Sequence, residues 1–128
     1  MAVTHTTTVR NAMADAIWDT LDAGKLKLRI TGSTADAPST AACTLTLNAA
    51  AAPAASAGVV TANAITSDTA ATGNAGAVAF GTLETSAGTV KVHFAVAASA
   101  SDFNLTGGLT IGANDTVTCT SLTYTAPA

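Results

Sequence analysis

Residues 25–30 read KLKLRI and alternate strictly between basic and aliphatic side chains. Successive side chains of a β-strand point to opposite faces of the sheet, so this alternation predicts a half-buried strand. The set that is predicted to face the core is Leu26, Leu28 and Ile30. The set that is predicted to face outward is Lys25, Lys27 and Arg29. The stretch therefore places a sheet close to the start of the chain.

Residues 8–23, directly before this strand, have helical periodicity. Apolar side chains recur at intervals of four residues, as expected for one face of an α-helix; they are Val9, Met13, Ile17 and Leu21. A threonine hydroxyl at position 6, 7 or 8 is expected to cap the first turn. Gly24 is expected to end the helix in a left-handed conformation. We predict that the helix packs Met13, Ile17 and Leu21 onto a β-sheet.

Beyond residue 30 the chain contains short alternating segments separated by turn-forming residues. Strands are predicted near residues 43–47, 59–66, 77–83, 89–96, 103–111 and 116–125. Gly107 and Gly108 are interpreted as the turn of a hairpin within the fifth of these segments. The pattern predicts a mainly β fold: an antiparallel β-sandwich or small barrel of about seven strands, with one N-terminal α-helix packed against it. The alternative is an open antiparallel sheet with the helix on one face.

The length of 128 residues predicts a single domain. The predicted domain consists of an N-terminal arm (1–7), the helix (8–23), a β domain (25–125) and a tail (126–128). The chain contains 31 Ala and 24 Thr but only 31 larger apolar residues. Because alanine contributes little when buried, the core is predicted to be thin. Burial against neighbouring chains would add stability.

Charge and hydropathy exclude several classes of function. The net charge is −3, and the sequence has no run of basic residues that could hold phosphates, so nucleic-acid binding is not expected. No apolar run approaches the roughly 20 residues of a membrane span. The first ten residues lack the apolar segment of a secretory signal, which predicts synthesis in a cytoplasm.

The sequence offers no catalytic, cofactor or metal site, and we expect a protein that is not an enzyme. His5 and His93 have no ionisable neighbours that would make them part of a site, and both are interpreted as solvated surface. Glu84 is the only glutamate, so a pair of catalytic glutamates is not present. Cys43 and Cys119 match no zinc or redox motif; they are interpreted as buried thiols, with a disulfide as the alternative.

Two features are candidates for contact with a partner. The basic side chains of residues 25–30 are Lys25, Lys27 and Arg29. They form either the solvated outer face of an edge strand, which they protect from pairing, or a contact surface for an acidic partner. Trp18 lies away from the main apolar stripe of the helix. It either completes the core or anchors a partner.

Three segments resemble small virion-associated proteins of tailed bacteriophages. They are THTTTVRNAMADAIWDTLDAGKLKLRI (4–30), VVTANAITSDTAATGNAG (59–76) and SLTYTAPA (121–128). The resemblance implies a structural protein of the virion, synthesised in the cytoplasm of a bacterial host. It is expected to act as a capsid decoration (cement) protein that stabilises the particle by packing on the major capsid protein. Alternatives are a neck or tail accessory subunit, and a tip module that binds a host receptor or glycan.

The partners that this setting implies are other copies of the chain and other virion proteins, either the major capsid protein or neck and tail proteins. Only 4% of the residues are aromatic, which weakens the glycan-binding alternative because sugar sites commonly contain aromatic platforms. The resemblance brings no catalytic residues with it.

Overall fold

A computed structural model of the chain describes residues 3–128, so the first two residues of the predicted arm 1–7 lie outside the described part. The chain is mainly β, with one N-terminal helix and seven strands in residues 3–128. In chain order the elements are α1 (Thr7–Trp18), β1 (Lys25–Ile30), β2 (Ala41–Thr46), β3 (Val59–Thr61), β4 (Val78–Glu84), β5 (Val90–Ala97), β6 (Phe103–Asn104) and β7 (Thr123–Thr125).

The strands form two sheets of unequal size. The larger has five strands in the order β2-β1-β4-β5-β6, and the smaller consists of β3 and β7. All pairs are antiparallel except β5 with β6, which run parallel. The predicted helix and strand β1 are confirmed, and the KLKLRI stretch is an interior strand with β2 and β4 on its two sides. A wholly antiparallel sheet is not observed.

The apolar side of the large sheet carries the core. Leu26 and Leu28 of β1 are buried beside Leu45 of β2, in one cluster that also includes Trp18 and Leu21 from the helical segment. The helix therefore lies on the apolar side of the sheet, and its contacts with strands are mainly with β3. Met13 and Ile17 are partly buried against the same cluster.

The helix is shorter than the predicted range 8–23. It begins after Thr6, whose hydroxyl accepts a hydrogen bond from the Val9 N–H, and it ends at Trp18. The Thr20 N–H and hydroxyl both bond to the Ile17 carbonyl, which closes a tighter turn. Hydroxyl side chains compete in this way with the helical hydrogen-bond ladder. The periodicity of residues 8–23 could not reveal that competition.

The left-handed residue at the end of this segment is Ala23, with φ of 53°, and not Gly24 as predicted. Gly24 is required for a different reason, the close approach of two backbones. A Cβ atom at this position would lie 2.2 Å from the Glu84 carbonyl oxygen and 2.8 Å from the Leu21 carbonyl oxygen. The glycine thus allows the end of the helical segment to pack on the end of β4.

We expect Gly24→Ala to lower the free energy of unfolding by about 1–3 kcal/mol, because backbone atoms must move to admit the methyl group. Urea denaturation followed by circular dichroism measures this change. Gly32→Ala is the control, since a Cβ there meets no atom within 4 Å and adds only the strain of its φ of 83°. A Gly24→Ala protein as stable as the wild type would contradict the close approach.

The polar side of the helix is not simply solvated. Side-chain oxygens of Asn11, Asp15 and Asp22 accept hydrogen bonds from the backbone N–H groups of Gly58, Ala55 and Ala51. These three bonds, 2.7–2.8 Å long, attach the alanine-rich loop 48–58 to the helical segment. The loop has few large side chains of its own, so these polar contacts fix its path.

The carboxyl-terminal third contains less regular structure than predicted. The expected hairpin around Gly107 and Gly108 is wrong, because only Phe103–Asn104 forms a strand there and it pairs in parallel with β5. The predicted strands 59–66 and 116–125 are reduced to β3 and β7. Within the second of these segments, Val117 makes an isolated antiparallel bridge with Asp68.

Two aspartates accept backbone N–H groups of β2 and β5, on the two sides of the large sheet. Asp68 accepts the outward N–H of Thr44 on β2 at 2.9 Å, and Asp102 accepts that of Ala95 on β5 at 3.1 Å. Edge strands with free backbone groups are prone to pair with other chains, and capping them limits that risk. Each aspartate thus caps one backbone N–H of β2 or β5, whereas β1, whose basic side chains were interpreted as the face of an edge strand, is an interior strand.

Candidate functional site

The basic side chains of β1 and one acidic side chain of β4 meet on the polar side of the large sheet. Lys25 lies opposite Glu84 in the strand register, and Lys27 lies opposite Thr82. The Glu84 carboxylate is only 3% exposed and lies between two cations, 3.2 Å from Lys27 Nζ and 3.3 Å from Arg29 Nη2. Glu84 Oε2 receives no well-directed hydrogen bond, so its attraction to Lys27 is mainly Coulombic.

Arg29 is buried, which contradicts its proposed role as a surface contact. Its Nε donates to Thr82 Oγ1 at 3.0 Å, and its guanidinium also donates to the Ser39 carbonyl and to Glu84. Ser39 belongs to the loop 31–40, which crosses this end of the polar face. The interpretation of Lys25, Lys27 and Arg29 as the solvated face of an edge strand is therefore wrong, because a loop covers Arg29 and β1 is an interior strand.

A second contact attaches the same loop to the sheet through β5. His93 Nε2 lies 3.2 Å from Ser33 Oγ, and the His93 ring packs against Phe80 with centroids 5.0 Å apart. Ser33 Oγ also accepts the Ser39 N–H at 3.2 Å. His93 is half-buried, so its interpretation as solvated surface is wrong; His5 is exposed and lies 3.0 Å from the Ala128 carbonyl oxygen.

Trp18 completes the core and offers no surface to a partner. Only 2% of this residue is exposed, and it packs in the cluster that contains Leu21 and Leu26. The indole Nε1 has no hydrogen-bond partner among residues 3–128. Of the two alternatives for Trp18, the structure supports its place in the core and contradicts a role as a partner anchor.

The part of the polar face that stays accessible is formed by Lys25, Lys27 and Lys91, which we call the basic face. Lys25 is half-buried, the Lys27 side chain is 28% exposed, and Lys91 is exposed. Lys91 precedes His93 by two residues on β5, so strand alternation puts both on the same side of the sheet. In residues 3–128, neither Lys25 nor Lys91 forms an ion pair.

Sequence reasoning found Lys25 and Lys27 but missed Lys91 and Glu84 as members of the same face. Lys91 was not among the candidate residues, and Glu84 was considered only as the single glutamate of the chain. The signal that joins them is the register β1-β4-β5, in which Lys27, Thr82 and His93 form one row. A single sequence does not specify which strands are neighbours, so the row could not be assembled from it.

A cleft of about 650 Å³ lies on the other side of the sheet, between the core strands and the segment 102–123. Its lining includes the buried residues Leu26, Leu28 and Leu45, and also Phe103. Hydroxyl side chains supply much of the rest; they are Thr106, Thr110, Thr116, Thr118, Thr120, Ser121 and Thr123. Among residues 3–128, the charged side chains that line it are Asp102 and Asp115, which accept the backbone N–H groups of Ala95 and Gly112.

Both cysteines are free thiols, which excludes the disulfide alternative in this structure. Cys43 is buried on β2, while Cys119 is half-buried and lies outside the strands. Burial raises the pKa of the Cys43 thiol to about 11, although a hydrogen bond with the Leu28 backbone acts in the opposite direction. Burial also raises the pKa of the Cys119 thiol.

We expect the thiols of the folded protein to react slowly with iodoacetamide at pH 8, because the thiolate is the reactive form and a raised pKa reduces its amount. For Cys43 the fall in thiolate relative to an ordinary thiol is on the order of 100-fold, before steric protection is counted. Mass spectrometry of the time course measures it, with protein unfolded in urea as the control. Rapid labelling of Cys43 in the native protein would contradict its burial.

Two further findings concern sites of other kinds. Within residues 3–128, no group of three or more His, Cys, Asp and Glu side chains is placed so that it could hold a metal ion. No helix in this described part is both long enough and apolar enough to cross a bilayer.

The chain was compared with protein-family models, curated proteins and solved structures, and it matched none of them.

Proposed function

We propose that this chain is a non-enzymatic structural protein of a bacteriophage virion, a capsid decoration subunit that packs on the major capsid protein. The sequence resemblance of residues 4–30, 59–76 and 121–128 suggests the setting. The structural observation that carries the proposal is the basic face, three lysines of which two have no ion-pair partner in residues 3–128. Exposed unpaired charge of one sign steers and orients association with a complementary surface, which in a particle is supplied either by the capsid or by an adjacent copy.

The packing of the chain is consistent with a role in an assembly. Apart from Trp18, the buried hydrophobic core consists of aliphatic side chains, cysteine and alanine, and the aromatic residues Phe94, Phe103 and Tyr124 are only partly buried against it. Contact with a particle would remove more of this apolar surface from water. We also propose that the two sheets are the layers of a small sandwich, since Val60 of β3 joins the same cluster as Leu26 of β1.

The proposal is tested by locating and counting the chain in purified particles. Quantitative mass spectrometry is expected to find many copies per particle, in proportion to the major capsid protein, and cryo-electron microscopy is expected to place them on the capsid surface. Particles stripped of the chain should lose stability to heat or chelation and regain it when purified protein is added. A protein that is absent from particles would contradict the proposal, and a few copies at one vertex would favour the neck or tail role.

The cleft of about 650 Å³ supports one alternative, a module that binds a host glycan. Its hydroxyl-rich lining and Phe103 could contact a neutral sugar. A glycan array probed with the purified protein separates the two proposals. Binding that Phe103→Ala abolishes, together with a location at the tip of the tail, would favour the glycan-binding module over the decoration subunit.

A further inference from the structure

We propose that the basic face (Lys25, Lys27 and Lys91) binds the acidic helical side of a second copy of this chain, so that copies associate head to tail. This inference deepens the proposed function, because a decoration subunit is present in many adjacent copies. Its test uses the purified protein alone, so the self-association and the virion role can fail independently.

The charges of the chain are divided between two regions. Four of its five Lys and Arg residues project from the polar side of the large sheet, together with Glu84 and with Asp36 in the covering loop. The other six of its eight acidic residues lie elsewhere. The chain thus carries a positive region on a molecule whose net charge is −3, and its own remaining surface is complementary to that region.

The two regions are on opposite sides of the sheet. Alternation along β1 directs Lys25 and Lys27 away from the side on which Leu26 and Leu28 are buried. The helical segment lies on that buried side, because Trp18 and Leu21 belong to the core cluster. Its outer surface carries three acidic residues within eight positions: Asp15, Asp19 and Asp22. A second copy can therefore approach the basic face with its helix without disturbing either core.

Asp19 is the member of this acidic side that is free to contact a partner. It is exposed, and its carboxylate has no hydrogen bond or ion pair within residues 3–128. Asp15 and Asp22 are already bonded to the loop 48–58, so they contribute charge but are held in place. On the opposite face, Lys25 and Lys91 are the cations that form no ion pair with any residue of the described part of the chain. The predicted contact therefore joins Asp19 of one copy to Lys25 and Lys91 of the next.

Such a contact uses two different surfaces, so it is heterologous. Repeated heterologous contacts close into a ring or extend into a filament, depending on the rotation between copies. Contacts between exposed charges are weak and sensitive to salt. A particle that holds many copies at high local concentration makes weak lateral contacts effective. The free protein should therefore associate only at high concentration and low ionic strength.

The first experiment is sedimentation velocity of the purified chain across protein concentrations at about 0.01 M and about 1 M salt, where the screening lengths are about 30 Å and 3 Å. Association is expected at low salt and its loss at high salt. The variant Lys25→Glu/Lys91→Glu is expected to weaken association at low salt by at least about 10-fold, because like charges then face each other. Circular dichroism verifies that each variant folds.

The second experiment is a charge exchange. Adding Asp19→Lys to Lys25→Glu/Lys91→Glu in the same chain should restore association, because the two surfaces of the contact then carry opposite charges again, with their signs exchanged. The matched control adds Ala98→Lys/Ser99→Lys to Lys25→Glu/Lys91→Glu in the same chain, which changes the net charge by the same two units in the exposed loop between β5 and β6. This control should not restore association, because Asp19 of one copy still meets like charge on the next.

Three results would overturn the inference: a chain that stays monomeric at low salt, association that Lys25→Glu/Lys91→Glu leaves unchanged, or equal restoration by Asp19→Lys and by the control. Any of them leaves the virion role open, because that role is tested by the content of particles. Conversely, a chain that self-associates as described but is absent from particles keeps this inference and loses the proposed function.

Discussion

Replacement of Glu84 by glutamine is expected to lower the free energy of unfolding by about 3–5 kcal/mol. The Glu84 carboxylate is nearly fully buried and is the only acidic group that pairs with Arg29 in residues 3–128. Glutamine has almost the same shape but no charge, so the buried guanidinium would lose its counter-ion. Breaking a buried ion pair by removing one partner costs far more than an exposed pair contributes, because the remaining charge stays out of water.

Urea denaturation of Glu84→Gln measures the loss, and Lys25→Gln is its control. Lys25 lies opposite Glu84 in the register but is half-exposed and forms no ion pair in the described residues, so its replacement should change stability by less than about 0.5 kcal/mol. The double variant Glu84→Gln/Arg29→Met removes both charges and should regain part of the loss. A cost below about 1 kcal/mol for Glu84→Gln would indicate that water reaches Arg29.

The strand that contains these groups was predictable, but the environment of its polar side was not. Alternation over residues 25–30 is a local property, and it predicted β1 with its inward and outward sets. Solvent exposure of the outward set depends on segments distant in the chain. Glu84 lies 55 positions from Arg29, and the loop that carries Ser33 and Ser39 covers the same end of the face. No local pattern in the sequence predicts that a loop folds back over a charged strand.

The carboxyl-terminal third shows the opposite case, in which local alternation overstated regular structure. Residues 116–125 alternate between threonine or serine and larger side chains, which predicts a strand. In the folded chain, Thr118 bonds to the Ser67 hydroxyl, and Val117 pairs with Asp68 as a single bridge. Threonine favours strands mainly through packing against neighbouring strands, so the preference has little effect where the neighbouring segment pairs only at a single bridge.

The candidate site was predictable only in part, for a related reason. Lys25 and Lys27 were identified because they share one strand. Lys91 joins them through the β1-β4-β5 register, while Arg29 and Trp18 leave the set of surface contacts because both are buried. Burial of a single tryptophan or arginine depends on the volume that other segments leave around it. Residue type and periodicity do not determine that volume.

Replacement of Leu21 by alanine is expected to cost about 2–5 kcal/mol in the free energy of unfolding. Leu21 is completely buried, and it lies in the turn that joins the helix to β1. Its backbone N–H bonds to the Trp18 carbonyl, and its own carbonyl accepts the Gly24 N–H. The backbone is thus fixed on both sides of the side chain, which limits collapse around the cavity. A cavity that cannot collapse gives a cost near the upper end of the range.

Chemical denaturation of Leu21→Ala measures this cost, and Val9→Ala is the matched control on the helix itself. Val9 is 43% exposed, so its truncation removes little buried surface, and alanine is the better helix former. We therefore expect Val9→Ala to be neutral or slightly stabilising. If both variants lost the same small amount of stability, the end of the helical segment would not be packed in the core. A large loss confined to Leu21→Ala requires that the turn, and not only the helix, is held against the sheet.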